Sequence, residues 1–328
     1  MNNKPLVSIL SPVYNGGKHI ENCIKGVLNQ TYDNYEYIIV DNASTDDTPL
    51  IIEKYRMKDP RIKVYRNEQT LHMEDNLNLS AKYCSKISKW IKYAFANDYL
   101  FPDCVEKMVK VGEMDEKIGI VSAYRMASGI VTNWGLPMDE NVFDGADILK
   151  RQIMRTLHVA SGSPNTVLYK KSVFDELGGF DNTLEHSDTE LAFRLLDRYK
   201  LGFSHYVLTI SDRATGGGEY KSIIHGCKIL EYLDFGYKRI SSYKSVRFDK
   251  QEMDYLKKYY ANEVADFLTK KCAYFEWEDI KKMTGNIPDE IKKEVEVHFL
   301  KNLLHYMKKY LRSLVHIRSY YAEKKRCA

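Results

Sequence analysis

The sequence predicts an α/β fold with a mostly parallel central sheet flanked by helices, followed by a helical C-terminal region. Short apolar runs that end in polar turns alternate with helix-like segments from residue 6 to about residue 125. Several of these runs are apolar at consecutive positions, as expected for strands buried on both faces. Beyond about residue 220 the pattern is helical. This change of pattern predicts two domains, residues 1–215 and residues 216–328.

The first elements follow one another in a regular order. LVSILSPVYN (6–15) is a strand that ends in a turn, and a helix with one apolar stripe begins at Ile20. YEYIIV is the second strand, and the polar turn after it supplies N-cap candidates for the next helix. RIKVYRN, EDNLNLSAKYC and KWIKYAFAND are then a strand, a helix and a fourth strand. This alternation predicts βαβ units with right-handed crossovers.

The second half of this region is less regular. Residues 126–145 are predicted to be irregular because of Gly129, Gly135 and Pro137. ADILKRQIMRTL is a helix, NTVLYKKSVFDELGGF is a strand and a helix that ends at two glycines, and SDTELAFRLLDRY is another helix. LGFSHYVLTI is the last strand, and three successive glycines in RATGGGEYK predict a mobile loop.

Composition indicates an ordinary soluble globular protein. The chain has 328 residues, of which 44% are hydrophobic and 29% charged. Its six cysteines are scattered without a C-x-x-C pair, so we expect free thiols in a reducing compartment. The N-terminus does not resemble a signal peptide, and no window approaches the ~18 apolar residues of a membrane-spanning helix. We therefore expect a cytoplasmic protein, or one that lies on a membrane surface.

Charge is distributed unevenly along the chain. Residues 281–328 contain 12 Lys and Arg against 5 Asp and Glu, whereas the first 280 residues contain 37 against 40. Nucleic-acid binding by the main body is therefore not expected. From Leu300 to Val315 apolar residues recur at helical spacing, with lysines and Arg312 off that stripe. This basic helix packs on its neighbours, contacts an anionic membrane, or forms a homodimer contact.

Polar residues follow three of the predicted strands. These are Tyr14 and Asn15, Asp41 and Asn42, and Asn97 and Asp98. In a parallel sheet they would lie along one edge, where ligands bind as the strand order reverses. The first turn, SPVYNGG, is not G-x-G-x-x-G, so a dinucleotide enzyme is not expected. Asp41 could accept hydrogen bonds from a uracil imide or a ribose, or could simply form a turn with Asn42.

Three segments together resemble family 2 glycosyltransferases of the GT-A fold. SILSPVYNGGKHIENCIKGVLNQTYDNYEYIIVDNASTDDT is similar to the opening of that family. KWIKYAFANDYLFPDCVEKM stands where the family has its metal-binding D-x-D segment, and LGGFDNTLEHSDTELAFRL where it has its catalytic segment. The resemblance covers roughly residues 5–210, and it implies a nucleotide-diphospho-sugar donor, most often a UDP-sugar.

The resemblance implies a role for each matching residue around this donor. The residues that would border or hold the nucleotide are Pro12, Tyr14, Asn15, Asp41, Asn97 and, on the glycine-rich loop, Arg213. Asp98 would ligate a divalent cation, Mg²⁺ or Mn²⁺, that neutralises the diphosphate leaving group. Family members usually have two or three acids here, whereas this chain has Phe95 and Asn97, so only Asp98 remains. Metal affinity would be correspondingly weaker.

The segment LEHSDTELAFRLL is the second predicted centre. An inverting transferase needs a general base that takes the proton of the acceptor hydroxyl. The resemblance assigns this role to Asp188, with Ser187 in place of a preceding acid and His186 as the alternative base. Ser187 or Asp188 could instead cap the helix. Glu190 and Arg194 stand at i and i+4 and are expected to pair on the helix surface.

Three further residues leave alternatives open. Asn76 and Asn78 would bond to backbone near the metal turn or would only contribute to packing. Trp134 would stack on an acceptor sugar or belong to the core or its rim.

We therefore predict metal-dependent, inverting transfer of a sugar from a nucleotide-sugar to a glycan or lipid-linked acceptor, in bacterial surface-polysaccharide assembly. One alternative is a nucleotide-sugar-binding protein that has lost catalysis, because several acids are replaced. The other is a nucleotidyltransferase, although that class needs a glycine-rich, basic first loop and SPVYNGGKHI offers only Gly16, Gly17 and Lys18.

Overall fold

A computed structural model describes residues 4–160, 163–184, 186–211, 231–273, 284–285 and 287–305. The strands of the described part are β1 (Val7–Val13), β2 (Tyr35–Asp41), β3 (Ile62–Arg66), β4 (Trp90–Tyr93), β5 (Asp98–Leu100), β6 (Ile118–Ala127), β7 (Ile130–Thr132), β8 (Val142–Phe143), β9 (Val167–Lys170) and β10 (Lys200–Ser211). The α-helices are α1 (Ile20–Leu28), α2 (Thr48–Arg56), α3 (Met73–Lys82), α4 (Cys104–Gly112), α5 (Gly145–Ile153), α6 (Lys171–Glu176), α7 (Ser187–Leu196) and α8 (Lys250–Ala273).

The strands form one mixed sheet in the order β3-β2-β1-β4-β9-β6-β10-β5, with β7 beside β6 and β8 beside β10. Pairing is parallel between β3 and β2, β2 and β1, β1 and β4, and β6 and β10. The strand β9 pairs antiparallel with both β4 and β6, so β6 runs in the same direction as β1. The predicted α/β fold with a mostly parallel sheet is confirmed.

The chain order reverses next to β1. From β1 the chain moves outward to β2 and β3, and then returns to β4 on the other side of β1. Ligand sites of α/β sheets lie at the carboxyl ends of the strands beside such a reversal. The loops after β1 and β4 flank this position, and they are the loops that carry Asn15 and Asn97.

Apolar periodicity in the sequence accounts for the packing of the helices. The stripe of α1, which includes Ile20, Ile24 and Val27, is buried against the sheet together with residues of α4. The strand β2 is buried at every position, as its continuous apolar run predicts. These buried faces fix the strand ends, and therefore the loops, relative to one another.

Two local predictions differ from the structure. The fourth strand ends at Tyr93 instead of continuing to Asp98, and Asp98 begins the short strand β5, which pairs antiparallel with β10. Residues 126–145 are more regular than predicted, because β6 continues to Ala127 and turns back as β7. The turn uses the left-handed backbone of Ser128 and Gly129, as a two-residue hairpin requires.

The chain divides into two compact units. One comprises residues 1–220 and 242–247, and the other comprises residues 221–241 and 248–328. The second unit is helical where it is described, with α8 and a helix over 289–305. The predicted boundary at residues 215 and 216 falls outside the described residues. Leu300 and Leu304 of the apolar stripe are exposed, and the part of that stripe beyond residue 305 is likewise not described.

None of the helices described is long and apolar enough to cross a bilayer. The three cysteines whose side chains are described, Cys23, Cys84 and Cys104, are free and buried.

Candidate active site

The turn after β1 is joined to the turn after β2. The backbone N–H of Asn15 donates to Ser44 Oγ at 2.9 Å, and Asn15 Oδ1 accepts from the Thr45 N–H at 2.9 Å. Asn15 has a φ of 48°, a left-handed conformation that asparagine tolerates better than most residues. Tyr14 next to it is half exposed, and Pro12 is partly buried within β1. The two turns therefore form one rigid rim with an accessible aromatic ring.

Asp41 lies at the end of β2 with only 2% of its surface exposed. One carboxylate oxygen accepts from the Ser44 N–H at 3.0 Å, and the other is paired with the guanidinium of Arg66. Arg66, at the end of β3, also donates to the Ser44 carbonyl at 2.8 Å and is half exposed. Both oxygens of Asp41 are thus engaged, and the accessible group at this position is the guanidinium of Arg66.

The turn after β1 also contacts the loop after β4. A Cβ built on Gly16 would lie 3.3 Å from the Cβ of Ala96, which places the two loops in direct contact. The side chain of Asn97 is exposed at this rim. The ring of Phe95 instead lies beside the ring of Tyr93, with ring centroids 6.2 Å apart. The residue that replaces the first family acid is therefore packed as an ordinary aromatic.

Asp98 points into a polar cluster beneath this loop. Burial raises the pKa of its carboxyl to about 6, and hydrogen bonding from Ser211 together with the charge of Lys92 partly offsets this effect. The side chains of Asn165 and Ser211 also bond to each other at 3.3 Å. Both are buried, so the cluster orients the carboxylate from within the protein.

Lys92 is a charged residue in the middle of the apolar strand β4, and its exposed fraction is 0%. Its Nζ donates to the carbonyl of Asn165 and, at 3.4 Å, to the carbonyl of Val167. Burial lowers the pKa of this ammonium group, while nearby Asp98 acts to raise it. A buried ammonium requires such partners because an unpaired charge in the interior is strongly unfavourable.

Arg125, near the end of β6, is paired with Thr209 of β10, and Ser211 of the same strand is paired with Asp98. The positive charge of Arg125 lowers the pKa of Asp98 and also that of Asp188, although burial is the larger effect on both groups and raises their pKa. Its Nε donates to Thr132 Oγ1 at 3.0 Å. The charge of one guanidinium therefore acts on one carboxylate from each predicted centre.

Asp188 lies in the first turn of α7 and is partly exposed. Its Oδ1 accepts from the Thr189 N–H at 2.6 Å, and burial raises the pKa of the carboxyl above its ordinary value. Neither Ser187 nor Asp188 is the N-cap residue, which is His186, and its side chain makes no capping bond. The carboxylate is therefore oriented by its own helix but keeps an accessible side.

Glu74 of α3 places a carboxylate next to Ser187, the position at which the resemblance would have an acid. Ser187 Oγ donates to Glu74 Oε1 at 3.3 Å, and His72 Nδ1 lies 2.8 Å from Glu74 Oε2. The carboxylate is buried, which raises its pKa, and the nearby charge of Asp188 acts in the same direction. Sequence reasoning missed this residue because it lies 113 positions from Ser187.

Glu190 and Arg194 pair as their spacing predicts, but Glu190 is buried and does not lie on the helix surface. Arg194 Nε donates to both carboxylate oxygens of Glu190, at 2.8 and 2.9 Å, and NH2 donates to the Gly179 carbonyl at 2.8 Å. Asn78 does not bond near the metal turn; instead it forms two hydrogen bonds with the backbone of Phe180, at 2.8 and 2.9 Å. These contacts fix the glycine turn that precedes α7.

Arg213, which the resemblance assigns to nucleotide binding, lies outside the described residues.

A cavity of about 420 Å³ opens between α1 and residues 96–102. Asn97 and Asp98 line it together with His19, Asn22 and Lys25 of α1 or its N-terminus, whereas Asp41 and Asp188 do not. This cavity is therefore not by itself a site that joins all three acids.

The residues present fit a divalent cation only together with a bound diphosphate. No group of three or more His, Cys, Asp and Glu side chains suited to a metal occurs in the described part of the chain. Asp98 supplies one carboxylate, and Asn97 supplies a neutral amide oxygen beside it. Mg²⁺ is commonly held by one or two carboxylates together with phosphate oxygens and waters, so this donor set is sufficient only for a cation that binds with its nucleotide.

The fold and the acidic loops define a nucleotide-binding α/β protein, and comparison with known proteins identifies its family. The model of glycosyl transferase family 2 matches residues 8–178, slightly more than half of the chain. The chain therefore belongs to glycosyl transferase family 2.

Among curated relatives, an uncharacterized glycosyltransferase of Haemophilus influenzae is 33% identical over 129 residues, which cover 38% of this chain and 38% of that protein. The putative glycosyltransferase EpsE of Bacillus subtilis is 28% identical over 63% of this chain and 72% of its own length. The chain thus spans about two fifths of the length of the first relative and nearly three quarters of the second.

Solved structures show the same fold. TarS 1–349 of S. aureus, in complex with UDP-GlcNAc, has a TM-score of 0.67 at 16% identity, over 94% of this chain and 92% of that chain. The mannosyltransferase PcManGT of Pyrobaculum calidifontis, in complex with GDP-Man and Mn²⁺, has a TM-score of 0.56 at 15% identity, over 94% and 88% of the two chains. The predicted GT-A fold is confirmed by this likeness.

Proposed function

We propose that this protein transfers a sugar from a nucleotide-diphospho-sugar, a UDP-sugar, to a glycan or lipid-linked acceptor with inversion at the anomeric carbon. The observation that carries the proposal is the place of Arg125, which is paired with Thr209, two positions from the Asp98 partner Ser211, and whose charge acts on both Asp98 and Asp188. In this proposal a carboxylate from the metal-binding segment and one from the catalytic segment belong to a single site. Membership of glycosyl transferase family 2 supports the same reaction class.

Asp188 is the proposed general base. Its carboxylate accepts the proton of the acceptor hydroxyl as the hydroxyl oxygen attacks the anomeric carbon of the donor sugar. The bond between that carbon and the diphosphate oxygen breaks on the opposite face, and the nucleoside diphosphate leaves with the electron pair. Burial raises the pKa of Asp188, which makes it a stronger base than an exposed aspartate.

Asp98, with Asn97 beside it, is the proposed holder of Mg²⁺ or Mn²⁺. Such an ion, when bound, neutralises negative charge on the departing diphosphate. Lys92 and Arg125 add fixed positive charge next to Asp98, which favours an anionic leaving group and weakens affinity for a free cation. This combination predicts that the metal binds much better with the nucleotide than without it.

The rim formed by the first two turns is the proposed nucleotide site. Tyr14 offers an exposed ring and Asn15 lies beside it, while Pro12 fixes the strand below them. Because both oxygens of Asp41 already have partners, we propose that Asp41 acts on the uracil or ribose together with Arg66. Arg213 is retained as a proposed contact to the diphosphate.

We place the reaction in bacterial polysaccharide assembly, on the cytoplasmic side of the membrane. Relatives named as a putative teichuronic acid biosynthesis glycosyltransferase, TuaG, and as a chondroitin synthase support a polysaccharide product. The three free, buried thiols support a reducing compartment. Membrane contact through the basic C-terminal helix and a homodimer remain alternatives for the second unit.

A thermal-shift screen of nucleotide-sugars with and without Mn²⁺ tests the proposal. Ligand that binds only the folded state raises stability by RT ln(1 + [L]/Kd), about 2.7 kcal/mol at a hundredfold excess over Kd. We expect a UDP-sugar to stabilise the protein and Mn²⁺ to increase that effect. Asp98→Ala should abolish the part due to Mn²⁺, whereas Asp103→Ala, which removes a nearby aspartate paired with Lys107, should not.

An equal response of wild type and Asp98→Ala to Mn²⁺ would remove Asp98 from the metal site. UDP-sugar binding without any turnover would instead favour a binding protein that has lost catalysis, the alternative suggested by Phe95, Asn97 and Ser187.

A further inference from the structure

The side chain of Trp134 is exposed to solvent, although the residues on either side of it are fixed by contacts with the protein. Its side chain is 73% exposed, which is unusual for so large an apolar group. Asn133 is buried with a φ of 67°, and its amide donates to the Ala123 carbonyl at 3.0 Å. Gly135 has a φ of 116°, and a Cβ added there would lie 3.0 Å from Leu157 Cδ1. The exposure of the ring is therefore a property of a defined loop.

This loop begins beside Arg125, which belongs to the site proposed above. Thr132, two residues before Trp134, accepts the hydrogen bond from Arg125 Nε at 3.0 Å. Arg125 is the residue whose charge acts on both Asp98 and Asp188. Two residues of chain span at most about 7 Å, so the Trp134 backbone lies within that distance of Thr132, which binds Arg125.

An exposed indole at this position suits a sugar ring. One face of a pyranose presents C–H groups, which pack on the electron-rich face of an aromatic ring while the hydroxyls keep their polar partners. An anionic membrane surface fits less well, because the exposed acids Asp139 and Glu140 follow in the chain and would be repelled by such lipids.

We propose that Trp134 is the platform on which the sugar ring of the acceptor stacks. The inference rests on the glycosyl transfer proposed above and adds to it the residue that binds the acceptor. Stacking would hold the acceptor while its hydroxyl reaches Asp188. Trp134 would accordingly contribute to acceptor binding and not to donor binding.

Steady-state UDP release tests this assignment. The full chain is supplied with Mn²⁺, a UDP-sugar that stabilises it, and the methyl β-glycosides of glucose, galactose and N-acetylglucosamine as acceptor probes. Trp134→Ala should raise the half-saturating glycoside concentration by about tenfold, which corresponds to about 1.4 kcal/mol of lost binding free energy. The donor KM and the UDP release without glycoside should not change.

Two matched variants separate stacking from a general effect on the loop. Trp134→Phe keeps an aromatic face and should restore glycoside binding to within about threefold of wild type. Met138→Ala removes another exposed apolar side chain four positions away and should behave as wild type. An unchanged glycoside dependence in Trp134→Ala would overturn the proposal.

A binding measurement keeps the inference independent of turnover. The indole N–H resonance of Trp134, identified by its loss in Trp134→Phe, should shift saturably when a glycoside is added in the presence of UDP. If the resonance shifts while no UDP-sugar is turned over, Trp134 binds the saccharide but the proposed glycosyl transfer is wrong. If it does not shift with any of the three glycosides, the platform is refuted.

Discussion

At the scale of single residues, the surroundings of Asp98 determine the pKa of its carboxyl. Burial raises the pKa of this carboxyl to about 6, although the side chains of Ser211 and Asn165 and the cations of Lys92 and Arg125 act to lower it. A metal-binding carboxylate must lose its proton, so metal and proton compete for it. An acid with this pKa changes its charge within the range in which binding is easily measured.

We predict that Mn²⁺ affinity in the presence of a UDP-sugar falls about tenfold between pH 7 and pH 5, as the ionised fraction of a group with a pKa near 6 falls. An aspartate with an ordinary pKa would remain almost fully ionised over that interval. Titration of Mn²⁺ in an Asp188→Asn background, where the donor is not consumed, measures the effect.

Lys92→Met tests more directly whether the pKa of Asp98 controls Mn²⁺ binding. Because the Lys92 charge lowers the pKa of Asp98, its removal should move the midpoint of Mn²⁺ binding to higher pH. Asn97→Ala leaves the buried cluster intact and should keep the midpoint near pH 6. Affinity that is constant from pH 7 to pH 5 in wild type would show that Asp98 does not control metal binding.

At the scale of elements, the catalytic helix α7 depends on contacts made by α3. Asn78 pairs with both backbone groups of Phe180, and Ser187 bonds to Glu74, so α3 contacts the chain before α7 and the start of α7 itself. Gly179 makes this approach possible, because a Cβ there would lie 2.4 Å from Asn78 Oδ1.

We predict that Asn78→Ala lowers the free energy of unfolding by about 2 kcal/mol, because it leaves a partly buried N–H and C=O without partners. Urea denaturation measures this change. The control is Asn182→Ala, which removes an exposed hydrogen bond to Asp75 at the same junction and should change stability by less than about 0.5 kcal/mol. Equal effects of the two substitutions would mean that the Asn78 contact stabilises the protein no more than the exposed Asn182 contact does.

The same elements show what sequence reasoning can and cannot reach. Strands β1 to β4 and helix α1 follow from local alternation and apolar stripes, which are properties of neighbouring residues. The strand β5 was missed because its three residues are stabilised by pairing with β10, more than a hundred positions later. Lys92, Glu74 and Asn165 were missed for a related reason. Only Lys92 gave a local signal, as a charge within an apolar strand.

At the scale of the whole molecule, contacts between loops link the proposed nucleotide, metal and base residues along one sheet edge. The turn with Asn15 bonds to the turn after Asp41, Gly16 approaches Ala96 beside Asp98, and the charge of Arg125 acts on both Asp98 and Asp188. Each link joins residues distant in sequence, and the reversal of strand order next to β1 accounts for the contact between the loops after β1 and β4. The central claim is that these loops form one site that both binds the donor and breaks it.

The rate of UDP release from a UDP-sugar, measured together with UDP binding in wild type and Asp188→Asn, tests this claim most directly. Loss of a general base reduces turnover by about 10²–10⁴-fold while binding is retained. We predict Mn²⁺-dependent UDP release in wild type, a loss of that size in Asp188→Asn, and an unchanged affinity for UDP. Turnover by Asp188→Asn at the wild-type rate, or loss of UDP binding together with turnover, would contradict the account.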